Sequence, residues 1–198
     1  MVKHLIRKLM SHSSEKTLIP LPHNLTTHFD RDSFIIRRKW FSALTFFLLF
    51  FAIFWNGFMV VWMTQALKSG VWMMAAFGSI HAFVGLFMAY FSVASFINKT
   101  DVVVDPNYLT VRHYPMPWFG SKKIRVHSIQ QLYSKEHISR SKNGVNISYR
   151  VYVLTNDNRE QKLLTGLTEL SQAHFIEHEI ENVLGIKDQA VAGEYRKS

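Results

Sequence analysis

The sequence predicts a helical hairpin that crosses a membrane twice, followed by an α+β domain: an antiparallel sheet or small barrel capped by a C-terminal helix. Three observations predict it. Residues 41–67 and 71–97 are apolar runs without Asp, Glu, Lys or Arg, separated by Lys68, Ser69 and Gly70. From residue 99 the apolar period changes from helical to two, the period of a half-buried strand. Near residue 168 helical spacing returns, with its apolar residues on one stripe.

Crossing a ~30 Å hydrocarbon layer takes about 20 residues at ~1.5 Å each, so both runs suffice with tilt to spare. The net charge of +9 lies outside the hairpin apart from Lys68. Lys3, Arg7, Lys8, Lys16, Arg31, Arg37, Arg38 and Lys39 precede the first run and Lys99 follows the second. This asymmetry predicts both termini on the cytoplasmic side. On that side the Asn-x-Ser/Thr triplets at Asn24, Asn98 and Asn146 are not glycosylated. With no cysteine in the chain, disulfides, thiolate metal sites and cysteine nucleophiles are excluded.

Residues 1–20 form a basic tail in which Leu5, Ile6, Leu9 and Met10 alternate with Lys3, Arg7 and Lys8 at the spacing of a short amphipathic helix. Residues 21–40 read as a short β-hairpin turning at Asp30–Asp32 and leading into the membrane. Arg37, Arg38, Lys39 and Trp40 suit the headgroup layer, where cations meet phosphates and an indole finds its depth.

Within the spans, Ala75, Gly78, Ala82, Gly85, Ala89 and Ser92 line one face of the second helix with small side chains. Such a face packs against the first span or against another membrane protein, a second copy of the chain included. Asn56 and His81 are the polar residues near mid-membrane, and a hydrogen bond between them across the hairpin accounts for both. The alternative makes His81 and Asn56 the centre of an intramembrane redox or transport subunit.

Beyond residue 98, VVVD, NYLTVRHYP, SKKIRVHSIQQLYSKEHIS, NISYRVYVLTND and REQKLLTGL read as five meander strands. A helix follows, with Thr168 at its N-cap, Leu170, Ala173, Ile176, Ile180, Val183 and Leu184 on its stripe, and Gly185 at its end. Residues 99–186 make the domain, and 187–198 a flexible tail.

The run TDVVVDPNYLTVRHYPMPWFGSKKIRVHSIQQLY, with the terminal helix, resembles the opening strands of bacterial pleckstrin-homology-like domains over about residues 99–186. The resemblance implies a bacterial inner-membrane protein whose cytoplasmic PH-like domain binds and assembles. The strand pair before the spans then joins the same sheet. No activity follows from a fold.

His174, Glu177 and His178 spell H-x-x-E-H, with two imidazoles one turn apart as zinc requires. They also flank the stripe of an ordinary amphipathic helix, and a solvated face is the expectation. Nucleotide and serine-hydrolase motifs are missing from the sequence, so no catalytic residue, metal or cofactor is assigned. Lys122, Lys123, Arg125, Arg140 and Lys142 are expected to form one basic rim for anionic lipid or an acidic face of a membrane-protein complex. Nucleic acid is not an expected partner, because cations that face lipid leave no groove for a strand. The function expected is that of a non-enzymatic membrane-anchored adaptor or assembly protein.

Overall fold

The computed structural model describes residues 21–141 and 144–187 of the 198-residue chain. The basic tail 1–20, Lys142 and the tail beyond residue 187 lie outside the described residues. The chain divides into two compact units, one of residues 39–99 and one built from the segments that flank it.

The first unit is a pair of helices, α1 (Leu44–Lys68) and α2 (Trp72–Ile97), each long and apolar enough to cross a membrane. Thr45, Ala52, Met59 and Ala66, seven residues apart, are buried on α1, and Gly78, Gly85 and Ser92 repeat the interval on α2. A seven-residue repeat keeps one seam facing a neighbouring helix along its whole length. Ala82 and Ala89 border this seam, half-buried. A Cβ on Gly78 would meet Met63 Sδ at 2.7 Å, and one on Gly85 would meet Trp55 Cδ1 at 2.7 Å. The glycines therefore admit long side chains of α1 against the α2 backbone. Outside the seam the helices are bare: only 17% and 22% of their most apolar windows are buried, unlike core helices of a soluble protein. Where the helices begin and end, Trp40 N–H donates to Asn98 O at 3.3 Å.

The second unit holds two antiparallel sheets closed by a helix. One sheet has the order β1 (Leu25–Asp30), β2 (Ser33–Lys39), β3 (Lys99–Val104), β4 (Tyr108–Tyr114), β5 (Lys122–Arg125). Strands from before and after the helices thus share one sheet. The other has the order β6 (Ile129–Ser141), β7 (Gly144–Thr155), β8 (Glu160–Leu167). The segment SKKIRVHSIQQLYSKEHIS, expected as one strand, is two. A 3₁₀ turn at Val126–Ser128 divides β5 from β6, held by Ser128 Oγ on Arg125 O at 2.8 Å and Val126 N–H on Asn107 O at 2.9 Å. Among the described residues the corner gives six strands after the helices, and two sheets where one was expected.

Alternate residues of both sheets fill the core: Phe34, Ile36, Val102, Val104, Leu109 and Val111 from the first, Leu132, Val151 and Val153 from the second. The final helix, α3 (Leu170–Leu184), adds Ala173, Ile176, Ile180 and Val183. Its N-cap is Glu169 rather than Thr168, because buried Leu167 ends β8 and the backbone stays extended through Glu169. Gly185 ends the helix at φ 70°, with Gly185 N–H on Asn182 O and Ile186 N–H on Glu181 O. β8 lies at a sheet edge, where Arg38 Nη2 donates to Gly166 O at 2.6 Å and Lys122 Nζ to Lys162 O. These cations occupy acceptors that an added strand would use.

Candidate functional site

The expected basic rim is not one cluster. Lys122, Lys123 and Arg125 lie on β5, where Lys123 Nζ sits 3.9 Å from the centre of the Tyr108 ring. Lys122 reaches Lys162, which pairs with Tyr152, itself opposite Tyr133 on β6. Arg140 is seven residues further along that strand, ~23 Å at the strand rise. It belongs to a different surface.

That surface is an arm. β6 and β7 pair from Ile129↔Thr155 to Ser141↔Gly144, with a register shift between Ile129 and Gln131, but β8 accompanies β7 only from Tyr149 onward. His137–Ser141 and Gly144–Ser148 therefore continue as a ribbon of two strands. Side chains alternate between faces, so Ile138, Arg140, Val145 and Ile147 share the face on which Leu132, Val151 and Val153 enter the core. Past the core this face is open: Ile138, Val145 and Ile147 are 48%, 62% and 45% exposed.

The five-stranded sheet holds a polar network that the sequence did not announce. Asp101 on β3 is fully buried and accepts from Arg37 Nε at 2.8 Å, Arg37 Nη2 at 2.9 Å and the Tyr114 hydroxyl at 2.7 Å. Arg112 Nη2 lies 3.7 Å away. Burial pushes the Asp101 carboxyl up, but the bonds from Arg37 and Tyr114 and the two arginine charges hold it below the usual range. Beside it, His113 Nδ1 and Thr100 Oγ1 are 2.8 Å apart. Burial, then the Arg38 charge, push the imidazole pKa below its ordinary value. The network joins β2, β3 and β4 and offers no free nucleophile.

In the helical unit Asn56 and His81 do not bond each other. Asn56 Nδ2 donates to Ala52 O at 2.7 Å and across the hairpin to Gly85 O at 2.9 Å, because the glycine leaves that carbonyl within reach. His81 Nδ1 lies 3.1 Å from Phe77 O of its own helix, and its backbone carbonyl accepts from Trp55 Nε1 at 3.2 Å. Small residues and one amide thus close the seam.

The H-x-x-E-H residues diverge. Glu177 is buried and accepts from Ser134 Oγ at 2.6 Å, whereas His178 is exposed and His174 half-buried. Glu181, one turn on, accepts from Leu132 N–H at 3.1 Å. The two carboxylates bind α3 to β6. Among the described residues no group of three or more His, Asp or Glu is arranged to hold a metal. An open cleft of about 640 Å³ lies where Asn107, Arg125, His127 and Ile129 face Leu184 and Ile186.

No protein-family model matches the chain, and no curated protein matches it.

Proposed function

We propose that this protein is a non-enzymatic adaptor or assembly protein, anchored by α1 and α2, whose β domain docks onto a membrane-protein partner. The β6–β7 arm carries the reading. It extends the core face of the sheet past the last core contact and presents Ile138, Val145 and Ile147 around Arg140. An apolar centre flanked by an arginine is the composition of an interface core. Two sheets about one core with a closing C-terminal helix support a PH-like scaffold, a fold used for binding. The basic flanks of the helical pair support cytoplasmic termini, and a bacterial inner membrane is the compartment proposed with the PH-like resemblance. Asn56 and His81 are engaged by helix backbone, which gives the redox or transport alternative no support.

The test is affinity purification from native membranes with Ile138→Ser/Ile147→Ser beside the unaltered chain. A protein recovered stoichiometrically with the latter should be lost from the variant at unchanged melting temperature. Equal recovery, or none from either, removes the arm as a docking surface. A Soret band in the purified protein would favour the alternative.

A further inference from the structure

The connection between β4 and β5, residues 115–121, reads Pro-Met-Pro-Trp-Phe-Gly-Ser and carries the most exposed aromatic ring of the unit, Phe119 at 87%. Apolar residues in a water-facing loop need an explanation, and the strand order supplies one. β2 runs from Ser33 to Lys39 and hands the chain to α1, while β3 receives it from α2 at Lys99. β4 returns beside β3 to finish at the same end, since His113 faces Thr100 and the Tyr114 hydroxyl bonds Asp101. The loop therefore leaves the sheet at the end where the chain departs for its two apolar helices and comes back from them.

The loop is also built to hold its position. β4 outruns β5, whose last partner is Val111, so residues 112–114 extend the strand before the chain turns. At the other side Gly120 has φ 103°, and a Cβ there would come within 3.2 Å of His113 Nε2. The backbone is drawn in against the imidazole, and exposed Phe119 makes a T-shaped pair, 6.4 Å apart, with half-buried Trp118. Around this end lie Lys39, Lys99 and Arg112, while Arg37 is held by the buried carboxylate of Asp101 and Arg38 by Gly166 O. Aromatic rings among cations are the composition of a membrane–water interface.

We infer that Trp118 and Phe119 insert into the headgroup–acyl boundary of the bilayer that α1 and α2 cross, with the surrounding cations on lipid phosphates. The inference rests on the membrane reading of α1 and α2. Its partner is lipid, distinct from the protein partner of the arm. The tether holds the loop beside the bilayer at high effective concentration, so a shallow insertion suffices. The bilayer then fixes the orientation of the β domain and the direction in which the β6–β7 arm is presented.

The natural absence of cysteine makes the test direct. Phe119→Cys, Phe50→Cys and Asn107→Cys are each labelled with bimane, and the full chain is reconstituted into phosphatidylcholine–phosphatidylglycerol vesicles with or without brominated acyl chains. Phe50 is 70% exposed on α1, and Asn107 lies in the β3–β4 turn at the far end of the same sheet. The inference expects loss of bimane emission in brominated vesicles at 119 and at 50, with none at 107. Quenching at 50 alone overturns the loop insertion and leaves the anchor standing. Equal quenching at 107 and 119 overturns the end-on contact. Quenching at none of the three overturns the anchor and the loop together.

Discussion

Arg37 and Asp101 meet through two parallel hydrogen bonds, Nε to Oδ1 at 2.8 Å and Nη2 to Oδ2 at 2.9 Å, although the sequence separates them by both apolar helices. The pair joins a strand that precedes the hairpin to one that follows it. Asp101 is fully buried while the Arg37 side chain is 30% exposed, so the two ends of the bond are not equivalent. Removing the arginine strands a buried carboxylate; removing the carboxylate leaves a guanidinium that water reaches. Arg37→Leu is expected to destabilise the β domain by about 2–3 kcal/mol and Asp101→Asn by about 1–2 kcal/mol. Urea unfolding of the full chain in detergent, followed by an amide exchange or proteolysis readout on the β domain, checks the order.

The same pair sets an acid limit. The folded carboxyl of Asp101 lies below its ordinary value, so its contribution is fully present above the unfolded value of ~3.9 and is lost as pH falls through the folded one. Between pH 7 and 5 this group contributes no slope. Below about pH 4 the unaltered chain should lose stability faster than Asp101→Asn, and the two curves should converge. Parallel curves down to the acid end would show that the pair is not the titrating element.

Glu181 offers a cleaner substitution. Its Oε1 accepts the Leu132 N–H in the core, and a glutamine places an amide oxygen at the same point. Glu181→Gln should change the melting temperature little, whereas Glu181→Ala leaves a buried donor without its acceptor and should cost about 1–3 kcal/mol. A larger loss for glutamine than for alanine would mean that the charge, not the hydrogen bond, matters.

The zinc-like spacing on α3 leads to a negative expectation with its own measurement. Glu177 turns into the core toward Ser134 while His178 faces solvent, so the three side chains do not converge. Protein purified without chelator should contain far less than one zinc per chain by elemental analysis, and His178→Ala should not shift the melting temperature. Stoichiometric zinc that disappears with His178 would contradict the geometry.

The two helices were legible because they need no partner to be recognised: 27 residues from Phe41 to Leu67 carry no charge, the length and composition of a helix able to cross a membrane. The corner between β5 and β6 was not, since apolar–polar alternation runs on through Val126–Ser128 and hides a turn made by backbone and Ser128. Asp101 was hidden for a different reason. In TDVVVD it looks like the polar flank of a strand, and its partner Arg37 lies in another segment altogether. The arm shows the same limit, because Ile138 and Ile147 alternate like core residues and only the shorter pairing of β8 reveals that they stay about half exposed. Sequence period gives the face of a strand, not the length over which a neighbour accompanies it. By contrast the small residues of α2 carried real information about closeness, though Gly78 and Gly85 matter more than Ala82 and Ala89.

Gly85 is the residue on which the helical seam depends most. A methyl group there would stand 2.7 Å from Trp55 Cδ1 and 3.0 Å from Asn56 Oδ1, so even alanine must displace a packed indole and weaken the Asn56–Gly85 bond. Gly85→Leu should separate the helices, and Asn56→Leu, which keeps the volume but removes the amide, should weaken the hairpin by only about 0.6–2 kcal/mol. The face lies inside the hairpin, so any loss of a partner from Gly85→Leu should accompany a loss of helix contact. Disulfide trapping between cysteines introduced at Ala52 and Ser92 measures that contact if the unaltered seam first shows they can be crosslinked. Intact trapping in Gly85→Leu would show that the glycine serves an external partner instead.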